Sequence, residues 1–148
     1  MSKAFTKETD DTLEPPIRRL GVPVPELNVV TPDGLRAARA ELAELTRTGG
    51  DADRIRELSE HLATAHAVEP EDRDVIGIGA TVTLEDEVGR RSTYRIVGAI
   101  EADARRGWIG WMTPLAQKLW GLRVGDTVSL PRGEAEVVSI EYQEGAPG

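Results

Sequence analysis

The chain has 148 residues, with 18 Lys and Arg against 26 Asp and Glu, giving a net charge of −8 and a pI near 4.8. That length fits one domain, or one small domain with an appendage, and excludes a multidomain enzyme, while the acidic balance argues against nonspecific binding to nucleic acid or membrane. Cysteine is absent, which removes disulfides, thiolate metal sites and cysteine nucleophiles together. No apolar stretch of the secretory kind follows Met1, and no run of about 18 apolar residues occurs anywhere, so a cytoplasmic, non-membrane protein is expected.

In chain order, residues 1–30 carry Pro15, Pro16, Pro23 and Pro25 and little periodicity. Proline removes a backbone donor and restricts its predecessor, so this stretch reads as an extended arm. A helical hairpin is expected over 31–68. Thr31 suits an N-cap, Pro32 the first helical position, and Leu35, Ala38, Leu42 and Leu45 recur at helical spacing until Gly49-Gly50. A second helix starts at Asp51 or Asp53, with Ile55, Leu58, Leu62 and Ala65 as its stripe. At about 15 residues each, the helices make a hairpin only about 22 Å long.

From residue 75 to 143 the period changes to two. Thr81–Leu84, Thr93–Val97, Trp108–Met112, Thr127–Leu130 and Glu134–Ile140 read as strands, with a turn at Gly89. Between them Thr113 caps a short helix that begins at Pro114 and stops at Gly121, with Leu115, Ala116, Leu119 and Trp120 toward the sheet. The expected fold class is α+β: an antiparallel helical hairpin followed by a small antiparallel sheet wrapped on one short helix.

Conventional catalytic patterns are missing, so no catalytic residue of the chain's own and no intrinsic metal or cofactor is expected. His61 and His66 are five positions apart, which is not the i, i+4 pairing of a helical zinc site, and both read as surface histidines. Gly77-Ile78-Gly79-Ala80 lacks the later glycine of a nucleotide fingerprint and reads as a strand-entry turn. Asp51 and Asp53 project from the hairpin turn. Two carboxylates there can share a Mg²⁺ with acidic groups of a partner, or can simply cap a helix and complement its dipole. Trp108, Trp111 and Trp120 supply half of the six aromatics and read as core anchors. An exposed member, with Trp111 the foremost candidate, would mark a partner surface.

These residues resemble a known family. Thr31-Pro32-Asp33-Gly34, followed by Glu41-Leu42 and Leu45, is similar to the opening of the bacterial Gre transcript cleavage factors. Tyr94-Arg95-Ile96-Val97-Gly98, Thr113-Pro114 through Leu119-Trp120-Gly121, Gly125-Asp126 and Ile140-Glu141-Tyr142 resemble the same family's carboxyl-terminal signatures. The resemblance implies an amino-terminal antiparallel coiled coil and a carboxyl-terminal domain similar to FK506-binding proteins. It also implies docking at the rim of the secondary channel of bacterial RNA polymerase, with an acidic tip helping to hold Mg²⁺ in the polymerase's own active site. On that basis Trp111, Met112, Thr113 and Pro114 are the expected polymerase-binding residues, and Asp51 and Asp53 the expected tip contacts. A monomer with no sequence-specific DNA contact is expected.

Two departures bear on function. The family tip reads Gly-Asp-x-x-Glu-Asn; here Gly50-Asp51 fits, but Arg54 and Ile55 stand at the Glu and Asn positions. The helices are also about half the family's length, so the tip falls short of the polymerase active centre by roughly 20 Å. The chain is in this respect similar to the regulator of nucleoside diphosphate kinase. The leading expectation is an elongation regulator acting at the secondary channel. A true cleavage stimulator using Asp51 and Asp53 is an alternative, as are a kinase-regulating interaction protein and a prolyl isomerase.

Overall fold

The computed structural model describes residues 22–143; the expected arm before Val22 lies outside them. Helix α1 spans Pro32–Thr48 and α2 spans Ala52–Thr64. Local chemistry sets the start of α1 and both sides of the turn between the helices. The Thr31 hydroxyl accepts the Gly34 N–H at 2.9 Å, Gly49 takes a left-handed φ of 69°, and Asp51 accepts the N–H groups of Asp53 and Arg54. These contacts satisfy helix-end groups that would otherwise lack partners. Ala38 and Leu58 are buried between the helices, while most of the remaining stripe is half-buried, as befits a two-helix element with little core of its own.

A strap leads into α1. Val29–Val30 (β1) pairs in parallel with His66–Ala67 (β2) just past α2, so the whole hairpin is the crossover between two short strands. Asn28, 3 % exposed, donates through Nδ2 to His61 O at 2.8 Å and Thr64 Oγ1 at 3.1 Å, closing the end of α2.

The second part is a five-stranded sheet made of β3 (Ala80–Asp86), β4 (Arg91–Val97), β5 (Trp108–Gly110), β6 (Thr127–Leu130) and β7 (Gly133–Tyr142), with α3 (Pro114–Leu119) packed on it. The order is β5-β4-β3-β7-β6. In β3, Ala80, Val82 and Leu84 point into the core while Thr81, Thr83 and Glu85 point away, the alternation that the sequence displays. Ile96, Ala116, Leu119, Val128 and Val137 complete that core. The β3–β7 register shifts between Thr83 and Leu84, a bulge that adds twist and curls the sheet around α3.

Three features differ from the sequence expectations. The sheet is mixed, because β5 runs parallel to β4; the Gly98–Gly107 connection, with two short 3₁₀ turns, carries the chain back to make this possible. His61 is not a surface histidine. It is 1 % exposed, and its Nε2 donates to the Val22 carbonyl at 2.9 Å. Trp120 is 42 % exposed and not a core anchor, since it sits at the C-cap of a helix of only six residues, where the buried face has already ended.

Candidate functional site

The Gly110–Pro114 loop is built from the sheet edge. It leaves β5, and the Trp111 N–H donates to Val97 O at 2.8 Å. Thr113 then does two things. Its hydroxyl donates to Gly110 O at 2.8 Å and accepts the Ala116 N–H at 3.4 Å as the cap of α3. Gln117, one turn into α3, donates to Trp111 O at 2.7 Å. The loop is thereby pinned at both ends while Met112 stands 60 % exposed. Trp111 is half-buried, with its ring 5.9 Å from that of Trp120.

Two concavities flank this loop. One of about 290 Å³ is bordered by Trp111, Met112 and Thr113 on one side and by Val22, Pro23 and Pro25 of the strap on the other. The second, of about 430 Å³, lies between α3 and the curled sheet, with Pro114, Leu115, Leu84, Tyr94 and Leu130 among its walls. The four residues expected to bind a partner thus lie on one ridge between two grooves. Aromatic and apolar side chains on a fixed ridge suit protein recognition, because little conformational freedom is lost on binding.

Trp108, the remaining tryptophan, has a different environment. The guanidinium carbons of Arg95 and Arg106 lie 5.0 Å and 4.8 Å from its ring centroid, within cation–π range. Its role is thus to seat two arginines beside the hairpin.

The hairpin tip is occupied with its own structure. Asp51 is the N-cap of α2, and Asp53 pairs with Arg56 at 2.5 Å. Arg54, at the position where the resemblance leads one to expect Glu, grips Glu41 of α1 with Nε and Nη2 at 2.8 Å and 2.9 Å. Its Nη1 donates to Glu57 at 2.7 Å. The hydrogen bonds to Glu41 hold the Arg54 pKa above its ordinary value, against the opposing effect of desolvation. A hard dication takes about six oxygens. The two tip carboxylates are engaged by neighbours and flanked by Arg54 and Arg56, so any further oxygens for such an ion would have to come from a partner. No cluster of three or more His, Cys, Asp or Glu suited to a metal occurs among the described residues.

Glu57 is not singled out by the sequence, and His61 reads there as a surface histidine. Both are buried, and between them they hold one peptide unit: the Val22 N–H donates to Glu57 Oε2 at 3.1 Å, and the Val22 carbonyl accepts from His61. The available signal was a Glu and a His one turn apart on the polar side of α2. Their partner is main chain from the proline-rich arm, which no side-chain pattern reveals.

The described residues form a protein of two parts, a short helical hairpin strapped to a curled sheet that carries an apolar ridge. Residues 70–142 match the family model described as transcription elongation factor, GreA/GreB, C-terminal. The chain is 32 % identical to the transcription elongation factor GreA of Pelobacter propionicus over 94 % of its own length and 96 % of that relative. It is 40 % identical to GreB of Xanthomonas axonopodis pv. citri over 74 % and 70 % of the two lengths. The match to GreB of Neisseria meningitidis serogroup B is 44 % identical over 60 % of this chain and spans about three fifths of that relative (59 %). The crystal structure of GreA factor homolog 1 of Thermus thermophilus aligns at 30 % identity and a TM-score of 0.43, covering 74 % of this chain and 86 % of that one. The chain belongs to the GreA/GreB family of transcription elongation factors. Among the described residues no helix is long and apolar enough to cross a membrane.

Proposed function

We propose that this protein binds bacterial RNA polymerase at the secondary channel through the Trp111–Pro114 ridge, and modulates elongation without stimulating transcript cleavage and without catalytic chemistry of its own. The observation that carries this reading is Arg54. The position that the family resemblance assigns to a carboxylate holds a guanidinium committed to Glu41 and Glu57, so the tip presents structure where a cleavage factor would present metal ligands. Family membership supports a polymerase partner, and the short helices support a tip that stops before the active centre. The acidic net charge suits approach to a basic channel lining, since charge complementarity mainly accelerates encounter.

The test is binding to purified bacterial core RNA polymerase with a full-length cleavage factor as competitor. Mutually exclusive binding is expected, weakened by Trp111→Ala and by Pro114→Ala. In a backtracked-complex assay the protein should slow cleavage by the competitor, and Asp51→Ala with Asp53→Ala should leave that inhibition intact. Cleavage stimulated by this protein and abolished by the two Asp substitutions would overturn the reading in favour of a true cleavage factor. Absence of binding at micromolar concentration would move the kinase-regulator reading ahead.

A further inference from the structure

At the start of α1 two carboxylates join the hairpin to the sheet domain: Asp33 with Arg95 of β4 at 3.9 Å, and Glu101 with Thr31. Glu101 closes the 3₁₀ turn that follows β4. Its Oε2 accepts the N–H of Thr31 at 2.9 Å and of Gly98 at 2.8 Å, and its Oε1 accepts the Thr31 hydroxyl at 2.5 Å. Thr31 is 2 % exposed and is also the N-cap of α1, passing the bond on to the Gly34 N–H. The charge lies at the amino end of a 17-residue helix, the end that favours an anion. We propose that Glu101 is a positioning residue, fixing the direction in which the hairpin projects from the sheet domain.

The neighbouring glycines are consistent with a seat shaped for this carboxylate. A Cβ at Gly34 would lie 2.0 Å from Glu101 Oε1, and one at Gly98 would lie 2.5 Å from Val29 O. Gly98 has an ordinary φ of −74°, so at that position glycine supplies space and not an unusual backbone. The strap fastens the other helix. Val22 is held by Glu57 and His61 of α2, and the same residue faces Ala99 and Ala102 of the sheet domain across one cleft. Glu101 thus holds the amino end of α1, while the strap, whose Val29–Val30 strand lies against the Ala99–Glu101 turn, is bonded to α2 through Val22. The joint is a property of the free protein. Its consequence, that the tip's place beside a partner is set before binding, rests on the function proposed above.

Pulsed electron–electron distance measurement on the full chain tests the proposal, and the cysteine-free sequence makes labelling simple. Spin labels go on Thr46→Cys near the tip and Thr127→Cys on the sheet, both exposed positions. The parent should give one narrow distance. Glu101→Gln removes the charge and leaves one acceptor oxygen, so that either the Thr31 hydroxyl or the N–H groups of Thr31 and Gly98 lose their acceptor. A tilt of about 10° over a helix about 25 Å long moves the tip by about 4 Å, so a shift or broadening of that size is expected. Glu101→Asp, which keeps the charge but cannot span both Thr31 and Gly98, should broaden the distribution less and serves if the Gln variant fails to fold. Affinity for polymerase through the Trp111–Pro114 ridge, and with it competition with the cleavage factor, should survive in both. Distributions superimposable on the parent's for the folded variants would overturn the proposal. That readout needs no polymerase, so failure of polymerase binding would strike only the functional reading.

Discussion

Arg54→Leu removes the guanidinium and keeps much of the apolar stem. Glu57, whose side chain is 8 % exposed, then loses its ionic partner and retains only the Val22 N–H. A hydrogen bond to a charged group contributes about 1.5–3 kcal/mol, and an unpaired buried carboxylate forfeits most of that. Glu41 is 38 % exposed and solvated, so its share is about 1 kcal/mol or less. The expected loss is about 2–4 kcal/mol, or roughly 5–12 °C in Tm for a chain of this size. The assay is urea denaturation followed by far-UV circular dichroism. A matching cycle with Glu57→Gln should recover about half the loss, since the residue left behind is then neutral. A change below about 0.5 kcal/mol, the level of an ordinary surface substitution, would refute the claim that Arg54 braces the tip.

Four further outcomes are expected. Tyr142→Phe strands the Val75 carbonyl and the Gly77 N–H, which the phenol joins at 2.6 Å and 2.8 Å, and should cost about 1–3 kcal/mol by denaturation. Burial holds the Tyr142 pKa above its ordinary value; the neutral phenol therefore stabilises the fold below about pH 10, and this is lost as pH rises through the folded value, which spectrophotometric titration reads. The Asp86 carboxyl is held below its ordinary range, first by the Arg90 N–H and also by the Val88 N–H. Its contribution to the β3–β4 turn is full above about pH 4 and disappears as pH falls through the folded value, so the Val88 and Arg90 amide resonances should shift together in an acid titration. Gln117→Ala releases the Trp111 carbonyl and should weaken polymerase binding with little change in stability; an unchanged affinity would remove Gln117 from the ridge's support.

Helix ends were legible from the sequence because their chemistry is local. Thr31, Gly49, Asp51 and Thr113 each act on backbone within a few residues, and β6 occupies the expected Thr127–Leu130. What escaped depends on distant partners. β1 and β2 have two residues each and are joined only through the hairpin, too short to show a period. His61 looks polar and exposed on a helical wheel, yet its partner is a carbonyl 39 residues away. Glu101 sits in a turn with no pattern at all, and its meaning comes from Thr31, 70 residues earlier. The ridge residues were picked out by family resemblance; the structure adds how Thr113 and Gln117 hold them.

The tip departs from the family pattern in a way that is hard to reverse. A carboxylate at position 54 would stand beside Glu41 and Glu57, both of which now accept from the guanidinium. Three like charges at hydrogen-bond spacing disfavour one another, so Arg54→Glu should cost more stability than Arg54→Leu. The strain would pass through Glu57 to Val22 and loosen the strap. One residue position therefore decides between a ligand at the tip and a brace under it. With a brace there, and if Glu101 sets the hairpin's direction as proposed above, the short helices would form a stationary projection, which is the geometry that the proposed function requires.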